Sequence, residues 1–118
     1  MLLFLFLAPL IAADGTNIGN VYDRCTGQAA LSAIWSGSAE ELAERSMRSC
    51  RHLEPKLREG FERSWRTNRD GTVDPPTNVS RSLASHGWDG LLKAKKDRLI
   101  RDIGKARIEL GKKKNAQD

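Results

Sequence analysis

Residues 25–50, CTGQAALSAIWSGSAEELAERSMRSC, hold the only two cysteines of the chain and two helical patterns that are separated by Ser36-Gly37-Ser38. Gly37 can adopt the left-handed conformation in which many helices end. Ser38 starts a capping box, because its hydroxyl can accept a hydrogen bond from the Glu41 amide while the Glu41 carboxylate reaches back to the Ser38 amide. The stretch therefore predicts an antiparallel helical hairpin with its tip at Gly37.

The positions of the two cysteines match across this hairpin. Cys25 precedes Gly37 by 12 residues, and Cys50 follows it by 13. With a rise of about 1.5 Å per residue, both cysteines lie about 18–20 Å from the tip. Antiparallel helices whose axes are about 8–10 Å apart bring such a pair within disulfide distance. We therefore predict a Cys25–Cys50 disulfide, which is typical of proteins in oxidising, exported compartments.

Two other roles for the cysteines are weaker. With His52 and His86 they have the stoichiometry of a zinc site, but no Cys-x-x-Cys or His-x3-His spacing positions the ligands. Cys50 and His52 could instead be a nucleophile and its base, but residues two apart on a helix point to different faces. The sequence favours the disulfide, and we expect no metal, no cofactor and no catalytic cysteine.

The first thirteen residues, MLLFLFLAPLIAA, carry no charged side chain and are almost wholly apolar. As a helix this run spans about 20 Å, which is too short for the roughly 30 Å hydrocarbon core of a bilayer. It closes on small residues and so predicts a signal peptide, residues 1–13, cleaved after Ala12 or Ala13. No Lys or Arg precedes the run, and a buried N-terminal helix is the alternative. We expect an exported protein, periplasmic or secreted.

Large apolar side chains are sparse in the rest of the chain. Leu, Ile, Val and Phe account for 18 of the 105 residues from Asp14 onward, while the net charge of +5 is too small to favour disorder. A core this thin needs additional stabilisation, which a disulfide supplies. We expect one helical domain over residues 14–111 and a basic polar tail over residues 112–118.

Helical periodicity runs through the whole domain, and no segment alternates with the period of a strand. The pattern predicts an all-α fold: a small helical bundle in which a disulfide-stapled antiparallel hairpin packs against a long C-terminal helix. The second helix should kink or restart at Pro55. A short helical turn capped by Thr77 or Asn78 should precede a break at residues 86–90. The long helix should then run from Leu91 to about Leu110 and bury one apolar stripe: Leu92, Leu99, Ile103, Ala106 and Leu110.

Residues 67–77, TNRDGTVDPPT, form the one long loop. Asn68, Asp70, Gly71 and Asp74 partly resemble the ligand pattern of an EF-hand calcium loop. However, a basic residue and a threonine stand where the first and last acidic ligands belong, so a plain Asp-Gly turn is favoured. The following Asn78-Val79-Ser80 is a glycosylation sequon, for which a helix cap is the preferred interpretation.

The positive charge is concentrated at the C-terminal end. Residues 91–118 contain ten Lys or Arg against four Asp or Glu. Four basic residues share a face opposite the apolar stripe and are candidates for binding an anionic lipid, a polysaccharide or an acidic protein: Arg98, Arg101, Lys105 and Lys112. The simpler interpretation is a solvated face laced by pairs such as Asp97 with Arg101. Nucleic acid is an unexpected partner, because no aromatic residue interleaves the basic run.

No carboxylate pair, catalytic triad or phosphate-binding loop stands out in the sequence. We therefore expect a non-enzymatic protein that binds another protein, as an inhibitor, an immunity-type factor or a small chaperone. Trp35, Trp65 and Trp88 are candidate interface anchors, because aromatic side chains dominate the energetics of many interfaces. The alternative is an envelope-surface binder that uses the basic helix on anionic lipid or polysaccharide.

Overall fold

The computed structural model describes the backbone of residues 17–117 and the side chains of residues 17–113. Within this range the secondary structure is helical apart from a single isolated β-bridge. The helices are α1 (Ile18–Ser32), α2 (Ala39–Ser49), a 3₁₀ turn (Arg51–Leu53), α3 (Glu54–Ser64) and α4 (Asn78–Gln117). The all-α prediction is thus confirmed. The predicted signal peptide at residues 1–13 lies outside the described residues.

The chain forms two compact units. Of the described residues, unit 1 comprises residues 17–22 and 53–90, and unit 2 comprises residues 23–52 and 91–117. None of the described helices has both the length and the apolar character needed to cross a membrane. The expectation of a single domain over residues 14–111 stays a prediction.

The helical hairpin of unit 2 has the local features that its sequence predicts. Gly37 has a φ of 74°, and the Ser38 hydroxyl accepts a hydrogen bond of 3.1 Å from the Glu41 amide. A disulfide joins Cys25 of α1 to Cys50, the C-cap of α2, with 6.1 Å between the Cα atoms. Both the capped hairpin and the Cys25–Cys50 bond are therefore confirmed.

Gly37 has a backbone conformation at the hairpin tip that is unfavourable for any residue with a side chain. A side chain with φ near 74° is strained, because Cβ approaches the carbonyl oxygen that follows it. We expect Gly37→Ala to lower the free energy of unfolding by about 1–2 kcal/mol. Gly104 is a matched control within α4, where a Cβ would meet nothing within 4 Å. Gly104→Ala should be neutral or stabilise by up to about 1 kcal/mol. Equal effects of the two substitutions in urea denaturation would contradict this account of the turn.

Three helices contribute to the core of unit 2. Its buried members are Ala30 from α1, Ile34 from the turn after α1, Leu42 and Ala43 from α2, and Leu99 and Ile103 from α4. The apolar stripe of the long helix therefore packs against the hairpin as predicted, at Leu99 and Ile103. Leu110 is exposed because α4 extends beyond the hairpin: the Arg107 guanidinium already donates to the Gly37 carbonyl at the tip, over 2.8 Å.

The buried face of α1 agrees only in part with the helical pattern of its sequence. Six residues recur at helical spacing in this pattern: Ile18, Val21, Tyr22, Cys25, Ala29 and Ala33. Tyr22 is buried, whereas Cys25, Ala29 and Ala33 are only half-buried. Their neighbours Thr26, Ala30 and Ile34 are buried instead. The Thr26 hydroxyl donates to the Asp23 carbonyl over 3.1 Å, which satisfies a polar group on that face. Compared with the helical pattern of the sequence, α1 is therefore rotated by about one residue. The sequence specifies this rotation poorly, because Ala29, Ala30 and Ala33 differ little in apolar character.

Ion pairs across unit 2 differ from the predicted pairs along each helix. Lys96 of α4 donates to the Glu44 carboxylate of α2 over 2.7 Å. Arg45 of α2 donates to the Ser36 carbonyl over 2.6 Å and so binds the turn between α1 and α2. These side chains thus connect different parts of unit 2.

The Lys96–Glu44 pair makes the stability of the fold dependent on pH. The hydrogen bond from Lys96 and its charge lower the pKa of Glu44 from its ordinary value of 4.5 and raise the pKa of Lys96 from 10.5. The contribution from Glu44 is therefore present above pH 4.5 and is lost as the pH falls through its lowered pKa. We expect Glu44→Gln to reduce the loss of stability between pH 6 and pH 3, as measured by urea midpoints. Lys96→Gln should have the same effect, and the double variant should add nothing. An unchanged acid profile in all three variants would contradict this role for the pair.

In unit 1, α3 begins with Glu54 and Pro55 in its first turn, where a proline costs no hydrogen bond, so the restart at Pro55 is confirmed. Leu57 is buried, and Phe61 contacts the ring of Trp88 with 6.3 Å between centroids. The Arg58 guanidinium lies 5.7 Å from the centre of the Trp88 ring, within range of a cation–π contact. These aromatic contacts form the centre of the unit.

Helix α4 is continuous, so the predicted break at residues 86–90 is wrong. A Cβ at Gly87 would lie 3.1 Å from Cζ of Phe61, which means that the glycine is there to let the Phe61 ring approach the helix. The helix begins with a reciprocal cap, in which the Thr77 hydroxyl accepts from the Ser80 amide and the Ser80 hydroxyl accepts from the Thr77 amide. Thr77 is therefore the N-cap, and the predicted capped start is present.

The loop before α4 contains a tight turn. Asn68 and Thr72 are joined by a backbone hydrogen bond of 2.8 Å, and Gly71 has a φ of 90°. The Asp70 carboxylate accepts from both the amide and the hydroxyl of Thr72, and this lowers the pKa of Asp70. The Asn68 side chain donates to the carboxylate of Asp74 over 3.1 Å. The loop thus has the form of an Asp-Gly turn held by hydrogen bonds among its own side chains.

Candidate functional site

A groove of about 270 Å³ lies between α1 and α4 within unit 2. Both helices contribute apolar and small side chains to its surface. The apolar lining consists of Ala30, Leu31, Ile34, Leu99, Ile103 and Ala106. Because Ile34, Leu99 and Ile103 are also core residues, the floor of the groove is part of the rigid, disulfide-braced frame.

Gly27 of α1 lines the groove and, having no side chain, leaves the helix backbone accessible there. A Cβ at this position would meet no other atom within 4 Å, although the residue lies in the interior of a helix. Glycine in a helix interior costs about 1 kcal/mol relative to alanine. The contacts within unit 2 therefore do not require a glycine here, and the space above Gly27 is open to a ligand.

Four charged residues line the groove, and two of them neutralise each other. The Lys95 ammonium donates to the Asp23 carboxylate over 2.8 Å. Among the described residues, no hydrogen bond or ion pair engages Arg98 or Asp102, although they are four residues apart on α4. The groove thus combines an apolar floor with one unpaired cation and one unpaired carboxylate.

Two large apolar side chains are exposed at the end of α1 and in the turn after it. Leu31 of α1, which lines the groove, is 58% exposed, and Trp35, in the turn, is 62% exposed. Trp35 directly follows the lining residue Ile34 but does not itself line the groove. Single exposed apolar residues are common on protein surfaces, but an exposed leucine that lines an apolar groove is typical of an interaction site.

The four basic residues predicted to share a face of α4 are all exposed: Arg98, Arg101, Lys105 and Lys112. Only Arg98 lines the groove. Lys112 has its ammonium 3.9 Å from a carboxylate oxygen of Glu109, a loose pair at the surface. Asp97, which was expected to pair with Arg101, accepts a hydrogen bond of 2.9 Å from Lys93 instead. Arg101 is thus left without that partner, and the face keeps most of its positive charge.

The three tryptophans occupy different environments. Trp35 is the exposed residue beside the groove, and Trp65 is about half exposed with its ring edge-on to Phe61 at 6.1 Å. Trp88 is only 9% exposed beneath Arg58 and beside Phe61, so it is a core residue of unit 1. Its prediction as a surface anchor is therefore corrected by its burial.

The residues of the zinc and thiol alternatives are not assembled into a site. Both cysteine sulfurs belong to the disulfide, and no described cysteine is free. The Nδ1 atom of His86 lies 2.7 Å from the Ser82 carbonyl oxygen, within its own helix. Among the side chains that the structure describes, no group of three or more His, Cys, Asp or Glu is arranged to hold a metal ion.

Some residues at or near the groove could be selected from the sequence, but the groove itself was not predicted. Arg98 and Trp35 were selected from the basic run and from residue type, whereas Leu31 and Gly27 were not selected. A signal for Leu31 was present, since it falls outside the apolar stripe of α1 and four residues before Trp35.

Comparison with models of known protein families, with curated proteins and with solved structures finds no match to this chain. A functional conclusion therefore rests on the groove, its charges and the exposed side chains of Leu31 and Trp35.

Proposed function

We propose that this protein is an exported, non-enzymatic protein that binds another protein through the groove between α1 and α4. The observation that carries the proposal is the exposed side chain of Leu31 in an open groove with an apolar floor, with a second exposed apolar residue, Trp35, in the turn that follows α1. Exposed apolar and aromatic side chains next to a pocket are the usual anchors of protein interfaces. An inhibitor, an immunity-type factor and a small chaperone all act in this way.

The disulfide supports the exported location. Cys25–Cys50 is the kind of bond that persists in oxidising compartments, and the apolar residues 1–13 have the pattern of a signal peptide. We propose the periplasm or the extracellular medium as the place of action. In either place, the Cys25–Cys50 disulfide would stabilise the hairpin that forms one side of the groove.

The chemistry of the groove favours binding over catalysis. The charge of Asp23 is neutralised by Lys95, and the hydroxyl of Thr26 is bonded to a backbone carbonyl. The remaining polar groups, Arg98 and Asp102, have opposite charges and lie on an exposed edge. Such groups can orient a charged partner by ion pairing.

Site-specific photocrosslinking tests this proposal. A benzophenone amino acid in place of Leu31 should yield a discrete crosslinked protein when the purified protein is incubated with the exported proteins of the producing cell. The same amino acid in place of Arg48, which is exposed on α2 and does not line the groove, is the control. Equal crosslinking from both positions, or none from position 31, would contradict the proposed interface.

The exposed basic face of α4 supports a second candidate function, binding to an anionic envelope surface. Arg101, Lys105 and Lys112 can be replaced by glutamine without disturbing the core, because all three are exposed. If this function operates, the wild-type protein should sediment with phosphatidylglycerol vesicles in low salt, and the triple variant should not. Sedimentation that survives both the triple variant and 0.5 M salt would exclude an electrostatic mechanism.

A further inference from the structure

We infer that the groove accepts an amphipathic helix of the partner protein, and that this helix carries acidic residues along the edge that faces Arg98 and Lys105. The inference rests on the proposed function and adds the chemistry of the partner. It follows from the length and concavity of the groove and from the arrangement of charge on one of its edges.

The groove has the dimensions of a helix-binding site. Its lining extends from Asp23 in α1 to Ile34 in the turn after this helix, and from Lys95 to Ala106 on α4. The eleven helical steps on α4 correspond to roughly 16 Å, or about three turns of a helix lying in the groove. Gly27, Ala30 and Ala106 keep its walls low, so that the backbone of a third helix can approach closely. The surface of a bilayer is flat and cannot reach the floor of such a groove.

The charge of one edge selects an acidic partner. Arg98, Lys105 and Lys112 are spaced by seven residues along α4, so they form a basic row on one side of this helix, and Arg98 is the member that lines the groove. The lining carboxylate of Asp23 is neutralised by Lys95, and Glu109 lies 3.9 Å from Lys112. Among the described lining residues, Asp102 is the one carboxylate without an ion-pair partner, and the positive charges of the basic row and of Arg101 outnumber its single negative charge. In coiled coils such heptad-spaced charges determine which helix pairs with which, and acidic residues on the incoming helix complement this row.

A displayed library of random 18-residue peptides with helix-favouring composition is the probe for this inference. We expect selection on the wild-type protein to enrich peptides with apolar residues at helical spacing and with Asp or Glu flanking them. The Arg98→Glu/Lys105→Glu variant, altered only at exposed positions, should bind the same peptides at least about tenfold more weakly and should select basic ones.

A blocked groove provides the structural control. Gly27→Leu places a side chain in the open space of the groove, and Gly104→Leu makes the same change in α4 at a position that does not line it. The selected peptides should lose binding to Gly27→Leu and retain it with Gly104→Leu. Because neither added Cβ meets an atom within 4 Å, both variants should fold, which circular dichroism checks.

The outcomes separate this inference from the proposed function. Groove-dependent peptides without acidic residues, or no groove-dependent peptide at all, would overturn the inference. The proposed function would still stand if crosslinking from position 31 were found. Tighter binding to phosphatidylglycerol vesicles than to any peptide would overturn the inference in favour of a membrane surface. Absence of crosslinking from position 31 would overturn the proposed function and, with it, this inference.

Discussion

Removal of the Cys25–Cys50 disulfide should lower the free energy of unfolding by about 3.5 kcal/mol. The bond joins residues 25 positions apart, and opening a loop of this length returns a large conformational entropy to the unfolded chain. Small domains commonly have about 5–15 kcal/mol of stability in total, so this bond supplies a large share. Cys50 is also fully buried, which means that its removal leaves a small cavity beside the core.

Guanidinium denaturation of the Cys25→Ala/Cys50→Ala variant measures this effect against the oxidised wild type. The wild type in a reductant strong enough to open the disulfide is the control, since it loses the crosslink but keeps both side chains. We expect both samples to lose stability by similar amounts. A loss below about 1 kcal/mol in either sample would show that the hairpin does not depend on its crosslink.

Ile103→Ala should destabilise the protein by about 3–4 kcal/mol, whereas Ile108→Ala on the same helix should change its stability by less than about 0.5 kcal/mol. Ile103 is 2% exposed in the core of unit 2, and Ile108 is 59% exposed. The two substitutions remove the same atoms from the same helix and gain the same helix propensity. The difference between their losses of unfolding free energy therefore measures how much stability the packing of α4 against the hairpin contributes.

Urea denaturation of the two isoleucine variants provides this comparison. Thermal unfolding should rank the variants in the same order, with Ile103→Ala lowest. Equal losses in both variants would mean that α4 is not packed through the face that contains Leu99 and Ile103. The core described for unit 2 would then be incorrect.

The hairpin could be predicted from the sequence because its determinants are local. Ser38 and Glu41 form the cap within three residues, Gly37 supplies the only backbone conformation that the tip allows, and the two cysteines lie at matching distances from that tip. Each of these signals concerns residues that are close in sequence or symmetric about one point. Such signals can be recognised in the sequence without knowledge of the tertiary structure.

The continuity of α4 could not be predicted, because its cause is a tertiary contact. Gly87 appears in the sequence as a helix breaker, whereas in the structure it provides room for Phe61 of α3. The ion pair of Lys96 with Glu44 likewise joins residues that are 52 positions apart. The rotation of α1 escaped prediction for a different reason, since Ala29, Ala30 and Ala33 differ little in apolar character.

The candidate site was predictable in part. Arg98 and Trp35 stand out by charge and residue type, but a groove depends on the distance between α1 and α4, which no local pattern encodes. Gly27 illustrates the limit, because the sequence shows only a glycine within a helix. Its relevance comes from the open space above it and from the lining of the groove around it.

The most direct measurement of the central claim compares crosslinking from position 31 in Gly27→Leu and Gly104→Leu, together with the unfolding free energy of each variant. Both substitutions replace an interior helical glycine and should stabilise the protein by up to about 1 kcal/mol. The account predicts that crosslinking to the partner is lost in Gly27→Leu and retained in Gly104→Leu. Equal crosslinking in two equally folded variants would contradict the assignment of this groove as the binding site.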